Sequence, residues 1–131
     1  MRKILILLVA VFMLFGVTHV QDAEKPKEKV KVIKVWGVKD SKAHARDVML
    51  AWTDRQFVCL EKLWHRESNW RPEAYNKIKV MGKNAGGIPQ ILGMDPATPA
   101  TRQIERGFAY ILYRYGSPCQ ALNYHKKKGW Y

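Results

Sequence analysis

The sequence predicts an all-α domain that follows an N-terminal apolar leader and a basic linker. Apolar residues recur at spacings of three and four in two long segments, and each segment ends at a proline or a glycine. An uninterrupted apolar run at residues 4–17 marks the leader. We therefore divide the chain into a leader at residues 1–20, a flexible basic linker at 21–41 and a helical domain at 42–131.

The leader has the features of an export signal. Arg2 and Lys3 precede its apolar run, which is shorter than the roughly 20 residues that cross a bilayer comfortably. Gly16 and Thr18 form a small-residue pair, but no Ala-x-Ala cleavage site is present. A cleaved signal peptide and a retained signal anchor therefore both fit. Either one predicts an exported domain, in the periplasm or at the cell wall, free or tethered to the membrane.

The two cysteines, Cys59 and Cys119, both lie beyond the leader. An even number of cysteines in an exported chain favours a disulfide, with two free buried thiols as the alternative. Because the loop between them is long, the bridge could stabilise the fold by roughly 4 kcal/mol.

Positive charge predominates in the chain. Lys and Arg number 23 and Asp and Glu 11, which gives a net charge of +12. The partners should be anionic, either envelope polymers, a membrane surface or nucleic acid. Much of the charge lies at residues 25–42 and 126–128. We predict that the basic linker contacts envelope polymers or the membrane surface.

The first half of the domain reads as two helices. Residues 42–52 form a plausible first helix, and Thr53 with Gln56 has the form of a capping box that opens the second. Pro72 predicts that this second helix ends at Arg71. Glu67 occupies the next position of an apolar stripe, where the periodicity predicts a hydrophobic residue. The stripe consists of Phe57, Leu60, Leu63 and Trp64.

The second half reads as a loop followed by two helices. Residues 84–92 form a glycine-rich loop, after which Asp95 or Thr98 can cap a helix that Gly116 ends. Ser117 and Pro118 open a short final helix through Tyr124. Upstream of the domain, the valines at 30, 32 and 35 with Trp36 indicate a short strand or extended segment. The stripe of the longer helix consists of Ile104, Phe108, Ile111, Leu112 and Tyr115.

Glu67 is the main candidate for catalysis. It lies near the end of a helix on the predicted buried side, beside Trp64 and Trp70. An apolar setting disfavours the ionised carboxyl and raises its pKa, so that a proton is available near neutral pH. A protonated acid beside aromatic surface can donate that proton to the leaving oxygen of a glycosidic bond. The alternative is a structural ion pair of Glu67 with Arg66 or Arg71.

Several short runs occur in a fixed order around and after Glu67. Together they resemble the lytic transglycosylase (SLT) and goose-type lysozyme superfamily over roughly residues 52–131. The closing Gly129-Trp130-Tyr131 is similar to a branch of small exported members, the aggregation-promoting-factor-like transglycosylase domains. The runs are Glu67-Ser68-Asn69-Trp70 with Pro72, Ala74 and Asn76, then Gly87-Ile88-Pro89-Gln90, and finally residues 107–111 and 114–119.

The resemblance implies a lysozyme-like α fold and a peptidoglycan substrate, cut between N-acetylmuramic acid and N-acetylglucosamine. It implies one glutamate as acid and then base, with the 6-hydroxyl of the sugar forming a 1,6-anhydro end. Such a mechanism needs no second carboxylate. By position, Glu67 matches the acid/base and Ser68 the residue that hydrogen-bonds and orients it. The matched substrate-binding positions are Ile88, Pro89, Gln90, Tyr110 and Tyr124, with plain packing as the alternative for Tyr110.

The chain departs from the family pattern at three places. His125 stands where an asparagine is expected after the tyrosine, and Gly86 stands where an aromatic residue is usual. Residues 91–101 also look shortened. These differences concern the shape of the sugar subsites more than the acid.

Other functions remain as alternatives. They are a hydrolytic lysozyme (muramidase), a phage lysin of the same fold, a catalytically silent wall-binding module and a basic nucleic-acid-binding protein. The last does not explain the leader, the cysteine pair or the ordered runs. We predict a monomer that binds peptidoglycan glycan strands, not nucleic acid, and uses no cofactor. His44, His65 and His125 are scattered, which argues against a metal site.

Overall fold

Four helices and a small antiparallel sheet make up the described part of the chain. The computed structural model describes residues 36–131, so the predicted leader, most of the linker and the valines at 30, 32 and 35 lie outside the described residues. The helical prediction is confirmed, but all-α is incomplete because a three-stranded sheet lies between the second and third helices. The elements are α1 Val38–Val48, α2 Asp54–Ser68, β1 Tyr75–Val80, β2 Lys83–Gly86, β3 Ile91–Leu92, α3 Ala100–Tyr115 and α4 Pro118–Lys128.

Helix α1 begins four residues earlier than predicted, inside the segment that we assigned to the linker. Asp40 explains the start, because its carboxylate accepts a hydrogen bond from the Gly37 N–H at 3.3 Å and so satisfies a free amide of the first turn. The helix ends at Val48, and Met49 adopts a non-helical conformation. Residues 49–53 are thus a connection rather than the end of the first helix.

Helix α2 places the predicted stripe in the core. Its apolar residues, Phe57, Leu60, Leu63 and Trp64, are all buried. Thr53 does occupy the N-cap position, but the predicted capping box does not form. The Gln56 side chain instead accepts a hydrogen bond from the Cys119 N–H at 3.0 Å.

The end of α2 comes earlier than the proline predicts. Asn69 follows Ser68 in the left-handed conformation (φ 53°), and its N–H donates to carbonyls of the last turn. Asparagine tolerates this conformation better than most residues, so it ends the helix before Arg71-Pro72 is reached.

The predicted glycine-rich loop at residues 84–92 is largely a sheet. Strands β1 and β2 form a hairpin in which Val80 pairs with Lys83, and β2 pairs with the short β3. The hairpin turn consists of Met81 and Gly82, both with positive φ (53° and 76°). That is the conformation of a two-residue type I′ turn, whose twist matches the strands. Met-Gly is not the usual Asn-Gly signal, which explains why the hairpin was not predicted.

The last two helices follow the prediction with altered ends. In α3, Ile104 and Ile111 are fully buried, but Leu112 points outward. Gly116 ends the helix in the left-handed conformation (φ 77°), as predicted. Neither Asp95 nor Thr98 caps its start, because Pro99 takes the N-cap position.

Helix α4 begins as predicted and runs further than predicted. Ser117 accepts a hydrogen bond from the Gln120 N–H at 3.4 Å, and Pro118 stands in the first turn. The helix continues through Lys128 and ends at Gly129 rather than at Tyr124. The extra turn includes His125.

A close contact between α2 and α3 depends on Gly107. A Cβ atom at this position would lie 2.5 Å from Trp64 Cζ2 and 3.0 Å from Pro89 Cβ. Glycine therefore lets the backbone of α3 pack directly against the Trp64 ring. Since Trp64 lies one turn before Glu67, this contact fixes the part of α2 that carries the candidate acid.

The predicted disulfide between Cys59 and Cys119 is formed. It joins α2 to the start of α4, and its Cα atoms are 4.9 Å apart. The bridge closes a loop with a sequence separation of 60 residues. Because a long closed loop restricts the unfolded chain, the bridge should favour the folded state.

The double variant Cys59→Ala/Cys119→Ala should lower the free energy of unfolding by about 2–4 kcal/mol. Urea denaturation with and without reductant measures this change. Reductant should destabilise the natural chain to a similar extent and leave the double variant unaffected. Equal denaturation midpoints for the oxidised natural chain and the double variant would show that the bridge contributes nothing.

Candidate active site

Glu67 lies in the last turn of α2, one residue before the helix ends. Its side chain continues the buried stripe and is only 16% exposed. Burial raises the pKa of Glu67 from its ordinary value of 4.5 to about 7. Near pH 7 about half of these carboxyl groups therefore keep their proton, as the sequence predicted for an acid in an apolar setting.

His125, from α4, is the closest polar neighbour of Glu67. Its Nε2 lies 3.0 Å from Oε1 of Glu67, and its side chain is 12% exposed. The geometry of this contact is not that of a hydrogen bond, and within residues 36–131 the buried Oε1 of Glu67 has no hydrogen-bonding partner; the buried Nδ1 of His125 has none either. Burial lowers the pKa of His125, and the nearby positive charge of Arg66 lowers it further. Near pH 7 the imidazole is therefore largely neutral, and it faces a carboxyl group that is protonated in about half of the molecules.

The final residue, Tyr131, closes the site from another side. Its hydroxyl accepts a hydrogen bond from Trp64 Nε1 (2.9 Å) and donates one to the Pro89 carbonyl (2.8 Å). Burial raises the pKa of Tyr131 well above its ordinary value, and the nearby Glu67 raises it further. The C-terminal residue thus ties the helix that carries Glu67 to the segment around Pro89.

Ser68 holds the loop rather than the acid. Its hydroxyl donates to the carbonyl of Ile88 at 2.7 Å and also lies 3.4 Å from the carbonyl of Trp64. Ser68 is buried and makes no hydrogen bond to Glu67. In this structure it therefore sets the distance between α2 and the Ile88 segment, and it can affect Glu67 only through that packing.

The segment from Gly87 to Gln90 is fastened by bonds within the protein. Ile88 is fully buried, and its N–H donates to Oε1 of Gln103 at 2.8 Å. The Gln90 amide nitrogen donates to the carbonyls of Gly87 (2.9 Å) and Ala74 (3.2 Å). Substrate binding by Ile88, Pro89 and Gln90 stays a prediction. The side chains of Ile88 and Pro89 are buried, so they would affect the site through packing rather than through direct contact with a substrate.

Gln103 was not identified from the sequence. It is fully buried on α3, and besides Ile88 it bonds the carbonyls of Pro72, Pro96 and Thr98 at 3.0, 3.2 and 2.8 Å. One side chain thus provides hydrogen bonds to backbone groups of three segments that pack around it. The available signal was a glutamine beside Ile104 on the inner face of an amphipathic helix.

Tyr110 and Tyr124 belong to one aromatic cluster. Tyr110 contacts Tyr131 (5.6 Å between ring centroids), and Tyr124 contacts Trp130 (5.1 Å), with Tyr115 between them. Arg114 lies over Tyr110, Tyr115 and Trp130 at 5.9, 5.7 and 5.3 Å. The cluster adjoins Glu67 through Tyr131, and its half-exposed Trp130 offers a flat apolar surface of the kind on which sugar rings stack.

The remaining acidic residues considered in the sequence lie on the surface. Glu73, Asp95 and Glu105 are all exposed. Asp95 accepts a hydrogen bond from the Ala97 N–H, and Glu105 pairs with Arg102 at 2.8 Å. Burial is the one resolved cause of the shifted pKa of Glu67, so no neighbouring carboxylate contributes to it.

The described residues give no sign of a metal centre. Among residues 36–131, no three His, Cys, Asp or Glu side chains are grouped so that they could hold a metal ion. Within residues 36–131, no helix is both long and apolar enough to cross a membrane.

Comparisons with protein-family models, with curated proteins and with solved structures found no match to this chain.

Proposed function

We propose that this protein is a peptidoglycan lytic transglycosylase in which Glu67 is the catalytic acid and base. One observation carries the proposal. A carboxyl group is buried at the end of a helix, with its pKa raised to about 7 and one oxygen without a hydrogen bond. A buried carboxyl oxygen without a hydrogen bond costs free energy, and the largely neutral His125 at 3.0 Å offsets little of that cost, so a purely structural role would favour a hydrophobic residue here.

The chemistry that follows uses a single proton-transfer group. Protonated Glu67 donates to the glycosidic oxygen between N-acetylmuramic acid and N-acetylglucosamine, and the bond from that oxygen to the muramic C1 breaks. The 6-hydroxyl of the same muramic acid then bonds to C1 and gives its proton to the Glu67 carboxylate. A 1,6-anhydro end forms, no water is consumed and the acid is restored. A pKa near the working pH suits a group that must both give and take a proton.

The surroundings of Glu67 support this route over one with a carboxylate nucleophile. Retaining glycosidases place a second carboxyl group roughly 5–5.5 Å from the first, and inverting enzymes about 6.5–9.5 Å away. A charged group so close would perturb the pKa of Glu67, and burial alone accounts for the resolved shift. Hydrolysis by the same acid, as in a muramidase or a phage lysin, is the alternative. The chemical form of the released products distinguishes the two reactions.

We extend the proposal to the fold and to the setting. The mainly helical architecture, and the attachment of the Ile88 segment to α2 by Ser68, support a lysozyme-like domain. The Cys59–Cys119 bridge supports action in an oxidising compartment outside the cytoplasm. The substrate would be peptidoglycan glycan strands, bound by a monomer.

Digestion of purified peptidoglycan tests the proposal. The chain from Gln21 onwards, with its disulfide formed, should release soluble muropeptides that mass spectrometry identifies as 1,6-anhydro products. Reducing ends in their place would assign the protein as a muramidase with the same acid. Binding to peptidoglycan without release of a soluble product would indicate a catalytically silent wall-binding module. The absence of both binding and product would contradict the proposal altogether.

A further inference from the structure

The β1–β2 hairpin projects apolar side chains into solvent at its tip. All six residues of β1 are exposed. Ile78 is 72% exposed and Met81 is 91% exposed, and Val80 lies between them with about half of its surface exposed. Large apolar side chains usually lie inside a small domain, and a contiguous exposed group of them points to an interaction site.

The turn of the hairpin carries a residue that its backbone does not favour. Met81 has a positive φ (53°), a region in which asparagine and glycine are strongly preferred. Nothing in the described part of the chain, residues 36–131, covers its side chain in return, since almost all of its surface is exposed. A methionine in this place is therefore unexplained by folding and is suited to contact with another apolar phase.

Cationic side chains surround this apolar tip. Lys77 and Lys79 alternate with Ile78 and Val80 along β1, and Lys83 follows the turn on β2. No acidic residue occurs between residues 75 and 86, and none of the three lysines forms an ion pair within residues 36–131. The hairpin thus presents three uncompensated positive charges around three exposed apolar side chains.

We propose that the tip of the β1–β2 hairpin docks on an anionic phospholipid bilayer. The lysines match the negative headgroups, and Ile78, Val80 and Met81 match the acyl boundary beneath them. Basic segments with interleaved apolar residues bind membrane interfaces through this combination. An anionic wall polymer would satisfy the lysines but would leave the apolar tip in water, so the bilayer accounts for more of the observed surface.

Docking of this kind does not depend on the proposed catalytic activity. It involves the hairpin, whereas the acid lies on α2 and its polar neighbour on α4. It also differs from attachment through the leader or the basic linker, because it predicts where the folded domain itself touches the lipid.

A fluorophore at the tip tests the proposal in the full chain. Both natural cysteines are in the disulfide, so Met81→Cys introduces the single thiol available for an environment-sensitive label. Tyr113→Cys is the matched control, because Tyr113 is 93% exposed on α3. The leader is common to both proteins, so the position of the label decides the result.

On vesicles of mixed phosphatidylglycerol and phosphatidylcholine, the emission of the tip label should shift to the blue and be quenched by nitroxide-labelled lipid. The control label should show neither effect. An equal response at both positions, or none at the tip, would overturn the proposal. So would a tip response to soluble glycan fragments or to a polyanion in the absence of lipid.

A charge series completes the test. In the tip-labelled protein, Lys77→Gln/Lys79→Gln/Lys83→Gln should raise the lipid concentration for half-maximal shift by about a hundredfold, or roughly fivefold per lysine. Lys126→Gln/Lys127→Gln/Lys128→Gln removes the same charge from the C-terminal helix and should change it by less than about tenfold. A similar loss in both triple variants would mean that net charge, not the hairpin, drives binding.

Discussion

Replacing Glu67 with glutamine should lower the release of soluble muropeptides by roughly 100- to 10,000-fold, the contribution of a general acid or base in the transition state. Glutamine keeps the size and polarity of the side chain but cannot donate a proton of comparable acidity. Because Oε1 of Glu67 accepts no hydrogen bond, the substitution breaks no hydrogen bond and alters only the 3.0 Å contact with Nε2 of His125. The rate of release by Glu67→Gln, measured against purified peptidoglycan, checks this expectation.

The matched control for this variant is Glu61→Gln. Glu61 lies on the same helix and pairs with Lys42 at 3.2 Å. Its replacement removes one negative charge from α2 without touching the proposed acid, so release should stay within about twofold of the natural rate. Sedimentation with peptidoglycan should show that Glu67→Gln still binds. Retained release in Glu67→Gln would refute the assignment of the acid.

The position of Glu67 could be predicted because it depends on local periodicity. The buried stripe of α2 is set by residues three and four apart, and the carboxyl group interrupts that stripe by one step. The same reasoning placed the inner face of α3 and the glycine that ends it. Periodicity gives the face of a helix and placed Glu67 on the buried side, but the resemblance was needed to single it out as the candidate acid.

The partner of the acid could not be predicted in this way. His125 reaches Glu67 because α4 packs on α2 and continues beyond Tyr124, and neither fact has a local signal. The sequence identified His125 only as a departure from the expected asparagine. Gln103 was not identified for the same reason, since its four hydrogen-bonding partners lie on three separate segments of the chain.

Ser68 shows how a motif can single out a residue without giving its contacts. The resemblance matched Ser68 to a residue that orients the acid. Neighbouring helix residues point about 100° apart, so the side chain that follows Glu67 faces another direction. In the structure it faces Ile88, and its buried hydroxyl fixes the loop. Its effect on catalysis would therefore be through the position of that loop.

The pH dependence of stability should reveal the raised pKa of Glu67 without any substrate. A carboxyl whose folded pKa is raised stabilises the fold fully below its unfolded value of 4.5, and that contribution is lost as the pH rises through about 7. The difference is about 3 kcal/mol, from roughly 1.4 kcal/mol for each unit of pKa. Glu67→Gln has no such group, so it should match the natural chain near pH 4.5 and become more stable by about that amount at pH 8.5.

Urea denaturation at a series of pH values measures this difference. His125 acts in the opposite direction, because a lowered pKa means that its contribution is lost as the pH falls below its ordinary value of 6.5. Both proteins keep His125, and its shift is caused by burial and Arg66, so the difference between them isolates Glu67. The same measurement on Glu61→Gln shows how the loss of one negative charge on α2 alone changes the free energy of unfolding.

Catalysis should follow the same titration. The first step needs protonated Glu67, so the rate of release at low substrate should fall about tenfold for each pH unit well above 7. The stability difference between the natural chain and Glu67→Gln should develop as the pH rises from 4.5 to about 7. A rate that already falls about tenfold per pH unit from about pH 5 upwards, together with a stability difference that does not vary with pH, would mean that Glu67 ionises like an exposed carboxyl group. Burial would then not supply the proton that the proposed reaction requires.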